Sequence, residues 1–185
     1  LNVVPLNRAH VVEAVALHRA TRPWCYRGKT GRAVLGAFYD AYANRDFTVG
    51  TVALEEGQVV GVMCGATDPT GPARWLRERR RWRSLCSWLA GGVNVALGGW
   101  DVGALARAAG DIERPAFLVS AAMTEKAAKE GLTALSGAFA AAAASRGATH
   151  IVAPSAAPDE RLVEAGFEPG AAPGNGSLVA YVRGL

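Results

Sequence analysis

Residues 116–167, AFLVSAAMTEKAAKEGLTALSGAFAAAAASRGATHIVAPSAAPDERLVEAGF, decide the reading of this chain. The run 116–122 is short and apolar, the pattern of a buried strand. Residues 124–130 are expected to form a polar loop. Gly131 is expected to open a long alanine-rich helix that ends near Ser145-Arg146-Gly147. A second strand over 150–153 and a short helix over 158–165 follow, closed by Gly166-Phe167. A strand, a tight loop and a helix start form an anion cradle. First-turn N–H groups have no partner inside the helix and lie at the positive end of its dipole. Such a cradle suits the pyrophosphate of a coenzyme.

The first half has its own order. Residues 2–6 read as a short edge strand, with Pro5 tolerable at its end. Asn7 is an N-cap candidate for a helix carrying Val11, Val12, Val15 and Leu17. Residues 21–32 form a loop rich in Arg, Gly and Lys. A second helix is expected over about 33–43, with Val34, Leu35, Phe38, Tyr39 and Tyr42 on its apolar face. Residues 47–54 and 59–66 alternate as two strands around the turn Glu55-Glu56-Gly57-Gln58.

Residues 68–115 separate the two halves. They open with Asp68-Pro69-Thr70-Gly71-Pro72 and continue as a basic helix over 73–89 that interleaves Trp75, Trp82 and Trp88 with six arginines, Arg77 and Arg81 among them. Asp101 is a cap candidate for a further helix reaching Ala109. The arginine helix has three readings. It is a solvated face, a lid that recognises an anionic substrate through bidentate guanidinium contacts, or a membrane-surface or nucleic-acid patch. Residues 169–176 read as a loop and 177–182 as a last strand.

A chain of 185 residues that is 50% hydrophobic fits one domain with an ample core. The net charge of +4 suits an anionic partner, but it is too modest for a dedicated nucleic-acid binder. Three cysteines, Cys25, Cys64 and Cys86, show neither disulfide nor zinc spacing, so no metal is expected and a reducing cytoplasm is the simpler compartment. The start, Leu1-Asn2-Val3-Val4-Pro5, lacks the pattern of a signal peptide, and no apolar run has membrane-spanning length.

The motif Lys126-Ala127-Ala128-Lys129-Glu130-Gly131, followed by helix, strand, short helix and Gly166-Phe167, resembles the second half of the GNAT superfamily of acyl-CoA-dependent N-acyltransferases. That family carries Arg/Gln-x-x-Gly-x-Gly/Ala on the loop. Here Lys126 takes the first basic position, Lys129 replaces the middle glycine and Gly131 keeps the last. Ser155 stands where the family often has Asn, and Leu162 where many members carry a general-acid Tyr. Two further stretches extend the resemblance to nearly the whole chain. Leu35-Gly36-Ala37-Phe38-Tyr39-Asp40-Ala41-Tyr42 resembles the second helix of a bacterial subgroup that also has an Arg-rich insertion. The turn in Val52-Ala53-Leu54-Glu55-Glu56-Gly57-Gln58-Val59-Val60-Gly61-Val62 is similar to the family's first hairpin.

The resemblance implies one α/β domain over 1–185. Its sheet would be mixed, mostly antiparallel and bent, flanked by helices, with the helical insertion 68–115 between the third and fourth strands. It implies acyl transfer, acetyl foremost, from acetyl-CoA or another acyl-CoA to a primary amine of a small molecule or peptide, by direct attack. Val119 and Ala121 would pair with the pantetheine arm. Lys126, Ala127, Ala128, Lys129, Glu130, Gly131, Leu132 and Thr133 would hold the pyrophosphate. Ser120 and Ser155 flank the expected thioester and are the catalytic candidates. Tyr26, Arg77 and Arg81 are the substrate candidates. Two alternatives stay open: a non-catalytic acyl-CoA-binding scaffold, and an enzyme taking a longer or carrier-protein-bound acyl group. Oligomeric state is also open, a homodimer included.

Overall fold

The computed structural model describes residues 1–21, 28–43, 45–78, 109–155, 159–170 and 179–185. The described strands, β1 (Asn2–Pro5), β2 (Thr48–Glu55), β3 (Gln58–Ala66), β4 (Pro115–Met123), β5 (His150–Ser155), β6 (Glu168–Pro169) and β7 (Val179–Gly184), form one seven-stranded sheet in the order β1-β2-β3-β4-β5-β7-β6. Its pairs are antiparallel except β4–β5.

β1 (Asn2–Pro5) is an edge strand, where a residue without an N–H does least harm. Asn7 caps a 3-10 turn (Arg8–His10) that leads into α1 (Val11–Thr21). α2 (Gly28–Tyr42) begins ahead of the expected residue 33. Its apolar stripe of Leu35, Phe38, Tyr39 and Tyr42 is buried, and that packing carries the helix past Gly31. β2 (Thr48–Glu55) and β3 (Gln58–Ala66) form the expected hairpin. Glu56 and Gly57 both take positive φ, 50° and 82°, as a two-residue turn matched to strand twist requires. α3 (Gly71–Glu78) is the start of the expected basic helix. The rest of that helix and the helix from Asp101, apart from its last residue Ala109, lie outside the described residues, as do Tyr26 and Arg81, and the side chain of Arg77.

After β4 (Pro115–Met123) the expected loop over 124–130 is absent. Helix α4 runs Glu125–Ala144, so it starts at Glu125 and not at Gly131. Thr124 is extended, and its hydroxyl accepts the N–H of Ala127, which makes it the N-cap. Its own N–H is held by the Val60 carbonyl at 2.9 Å. With the cap placed there, Ala127 and Ala128 propagate the helix and nothing breaks it. β5 (His150–Ser155) follows, then α5 (Glu160–Glu164), capped by Asp159 and closed by Gly166 at φ +85°. Residues 168–169, of which Pro169 was expected to open the loop, form β6 (Glu168–Pro169) against β7 (Val179–Gly184). Pro169 sits on the edge, where it leaves no ladder bond missing.

The sheet buries a core on each face. Leu35, Phe38, Tyr39, Val52, Val62 and Cys64 fill the side covered by α1 and α2. Leu135, Phe139, Ile151, Ala153 and Tyr181 fill the side covered by α4.

Candidate active site

The site begins with a register fault in β4. Ser120 pairs with Cys64 and Leu118 with Gly65, so Val119 has no partner of its own and forms a β-bulge. The packing agrees with the extra residue. Leu118 and Ala121, three apart, both pack on the α4 side, while Val119 packs toward the α1/α2 side. A bulge bends its strand, and β4 parts from β5 at the same level. The parallel ladder holds Pro115 to His150, Ala116 to Ile151 and Phe117 to Val152, and stops there. Beyond it β4 continues to Met123 against β3, and β5 continues to Ser155 against β7. A gap therefore opens between two strands whose outer edges stay paired. Among the described residues, the inner edge of β4 beyond Phe117 has no ladder partner.

Gly65 is what lets β3 follow this bend. A Cβ at that position would lie 2.0 Å from the Phe117 carbonyl oxygen and 2.8 Å from the Phe139 ring. Nothing in the sequence around Gly65 distinguishes it from Gly61, four residues earlier.

The two serine candidates flank this gap from opposite faces. Ser120 is registered against Cys64, which belongs to the α1/α2-side core. Ile151 and Ala153 pack on the α4 side, so strand alternation puts Ser155 there. Both are half-buried.

The candidates on the expected loop change role with the helix start. The N–H groups of Gly131, Leu132 and Thr133 lie beyond the first turn of α4 and belong to its internal ladder. Gly131 is buried, and the place of its Cβ is taken by the Leu1 side chain, whose Cδ2 would be 2.3 Å away. Lys126, in the first turn, pairs with Glu55 of the β2–β3 turn at 2.5 Å. Glu55 is 41% exposed in this pair. The Lys126 hydrogen bond and charge hold its carboxyl below the usual range, and the same contact raises Lys126. Lys129 pairs with Glu125 one turn back at 3.2 Å. Ala127 is buried, Ala128 half-buried and Glu130 exposed.

Other groups able to carry a proton lie away from the gap. His18 is buried and hydrogen-bonded through Nδ1 to the Tyr39 hydroxyl at 2.8 Å. Tyr39 is fully buried in the α1/α2-side core, so it is no acid for a leaving group in the gap. His10 Nδ1 accepts the Asn7 N–H in the cap of the 3-10 turn. His150 opens β5 beside Thr149, at the end of the ladder away from the gap. At the position expected for a general acid, Leu162 packs against the α4-side core. Tyr181 was not a sequence candidate. It is buried on β7, and its hydroxyl accepts the Asp159 N–H at 2.8 Å, which anchors the start of α5. Arg45, also unremarked in the sequence, lies 4.5 Å over the Trp75 ring and ties α3 to the body.

No protein-family model and no curated protein sequence matches the chain. Solved structures do. The chain is similar to SsHAT, with TM-score 0.63 and 18% identity, over 99% of this chain and 97% of that one. It is similar to the aminoglycoside 6'-N-acetyltransferase from Enterococcus faecium, with TM-score 0.58 and 11% identity, over 100% and 97%. It is also similar to AAC(6')-Iy in complex with the bisubstrate analog CoA-S-monomethyl-acetylneamine, with TM-score 0.53 and 11% identity, over 88% and 84%. Identities this low speak for architecture. The sheet order, the single parallel pair that opens after three rungs and the near-complete coverage agree: the chain has the fold of the GNAT acetyltransferases.

Proposed function

We propose that the protein is an acyl-CoA-dependent N-acyltransferase that moves an acyl group, acetyl foremost, to a primary amine. The observation that carries this is the gap between β4 and β5, opened by the bulge at Val119 in a fold shared along its length with acetyltransferases. The residues present fit the coenzyme. The inner edge of β4 at Val119 and Ala121 offers backbone groups to the amides of a pantetheine arm. Lys126 and Lys129, at the adjoining start of α4, offer charge to phosphates. Contacts there come from these side chains and the first-turn N–H groups, and not from Gly131 to Thr133.

When bound, acetyl-CoA supplies the acyl group as a thioester. The chain's own contribution is position and polarity. The two diverging strands would hold the thioester carbonyl, and Ser120, on the α1/α2 face, would donate a hydrogen bond to it. Ser155 at the end of β5 reaches the opposite side of the gap. Tyr26, Arg77 and Arg81 are proposed to contact the acceptor. An acceptor with an anionic group is favoured by the arginines.

The test is calorimetric titration with acetyl-CoA on the wild type, Lys126→Glu and Lys129→Glu, followed by thiol release with a panel of amines. Saturable binding weakened in both variants, with thiol release for some amine, is expected. Binding without release for any amine would leave an acyl-CoA-binding scaffold. A folded protein that ignores millimolar acetyl-CoA would overturn the proposal and favour a carrier-bound donor.

A further inference from the structure

The charge balance around the start of α4 is unexpected for a surface that receives an anionic coenzyme. Its two ammonium groups already have partners. Lys126 Nζ lies 2.5 Å from Glu55 Oε1, and Lys129 Nζ lies 3.2 Å from Glu125 Oε1. The Glu130 carboxylate also acts on Lys126. Three carboxylates thus surround two ammonium groups. The partners differ in origin. Glu125 sits one turn from Lys129 on the same helix, an ordinary surface pair. Glu55 comes from the β2–β3 turn, 71 positions away in sequence. It is brought to Lys126 by the sheet and by the bond from the Thr124 N–H to the Val60 carbonyl.

We propose that Glu55 sets the affinity for the coenzyme by competing with its phosphate groups for the Lys126 ammonium. The inference rests on the proposed coenzyme site. Lys126 is 62% exposed and Glu55 41%, so water and ligand reach both and the pair can open without disturbing the core. A phosphate that engages Lys126 must displace the carboxylate or meet its repulsion. Either way Glu55 subtracts from the attraction that Lys126 supplies. Glu55 acts through Lys126 and so is a tuning residue, not a catalytic one. Its effect falls on coenzyme binding and release, and it weakens at high ionic strength, where exposed charges are screened.

The experiment titrates CoA into wild type, Glu55→Gln, Lys126→Gln and the double variant, at low and at high ionic strength. Both positions are on the surface, and unchanged melting curves confirm the fold of each variant. Glu55→Gln is expected to tighten CoA binding roughly two- to fivefold at low salt, the range of an exposed ion pair, and by less at high salt. Lys126→Gln is expected to weaken it. In the Lys126→Gln background the Glu55 substitution is expected to have little effect, because no ammonium is left to compete for. Unchanged or weaker binding by Glu55→Gln overturns the inference. So does equal tightening with and without Lys126, which marks a general field effect and not competition. Wild-type protein that binds no CoA removes the coenzyme site itself, and this inference with it.

Discussion

At the scale of single residues, the gap depends on a glycine packed against a backbone carbonyl. Gly65 lies where β3 crosses the bend in β4, and a methyl group there would meet the Phe117 carbonyl oxygen at 2.0 Å. A backbone oxygen cannot swing away as a side-chain tip can. Gly65→Ala must therefore push the two strands apart at the last rungs before the gap. We expect a loss of about 3 kcal/mol, the upper range for overpacking a core, read from the midpoint of chemical denaturation. Gly61→Ala is the internal comparison. Its nearest neighbours, at 3.2 to 3.4 Å, are side-chain atoms of Ala53, Leu135 and Met123. The cost there should be clearly smaller. Equal costs at both positions would mean that the close approach to Phe117 is not what requires glycine at 65.

At the scale of elements, the start of α4 decides which groups can face an anion. It also shows where sequence reading stopped. The hairpin was legible, because Gly57 sits between two alternating runs and turn chemistry is local. So was the order of elements, because each apolar period is carried by its own segment. Gly131 reads in sequence as an opening signal, yet it lies inside the helix. The true signal is Thr124, whose hydroxyl caps the Ala127 N–H. The bulge at Val119 was not legible. A bulge is a mismatch between two strands, and the register of β3 against β4 is absent from either segment alone. The Glu55–Lys126 pair was hidden for the same reason, since it joins segments far apart in the chain. Two substitutions test the revised helix. Thr124→Ala should cost about 1 kcal/mol by removing the cap. Gly137→Ala, at a position where a Cβ meets nothing within 4 Å, should stabilise by about 0.5–1 kcal/mol through helix propensity. Thermal or urea unfolding reads both. A neutral Thr124→Ala would return the helix start to a position further along the chain.

At the scale of the whole molecule, the core between the sheet and α1/α2 holds two acidic groups that folding keeps neutral. Cys64 is fully buried, and burial pushes its thiol well above the ordinary value. Tyr42 is buried in the same core and raised by that burial first, and next by its proximity to Cys64. In the unfolded chain a thiol loses its proton near about 8.5 and a tyrosine near about 10. Above each of these values the unfolded state binds fewer protons than the folded one, so stability falls as pH rises. Below them both states are protonated, and the contribution of the two groups is constant. We therefore expect alkaline destabilisation that begins above pH of about 8.5, with a slope near 1.4 kcal/mol per pH unit for one group, and steepens past about 10. Urea unfolding at a series of pH values measures it, with Cys64→Ala as the comparison. The variant should lose the first part of the slope and keep the second. If both proteins have the same slope between about pH 8.5 and 10, the Cys64 thiol ionises as readily in the folded chain as in the unfolded one. That core would then be open to water on the face that carries Ser120.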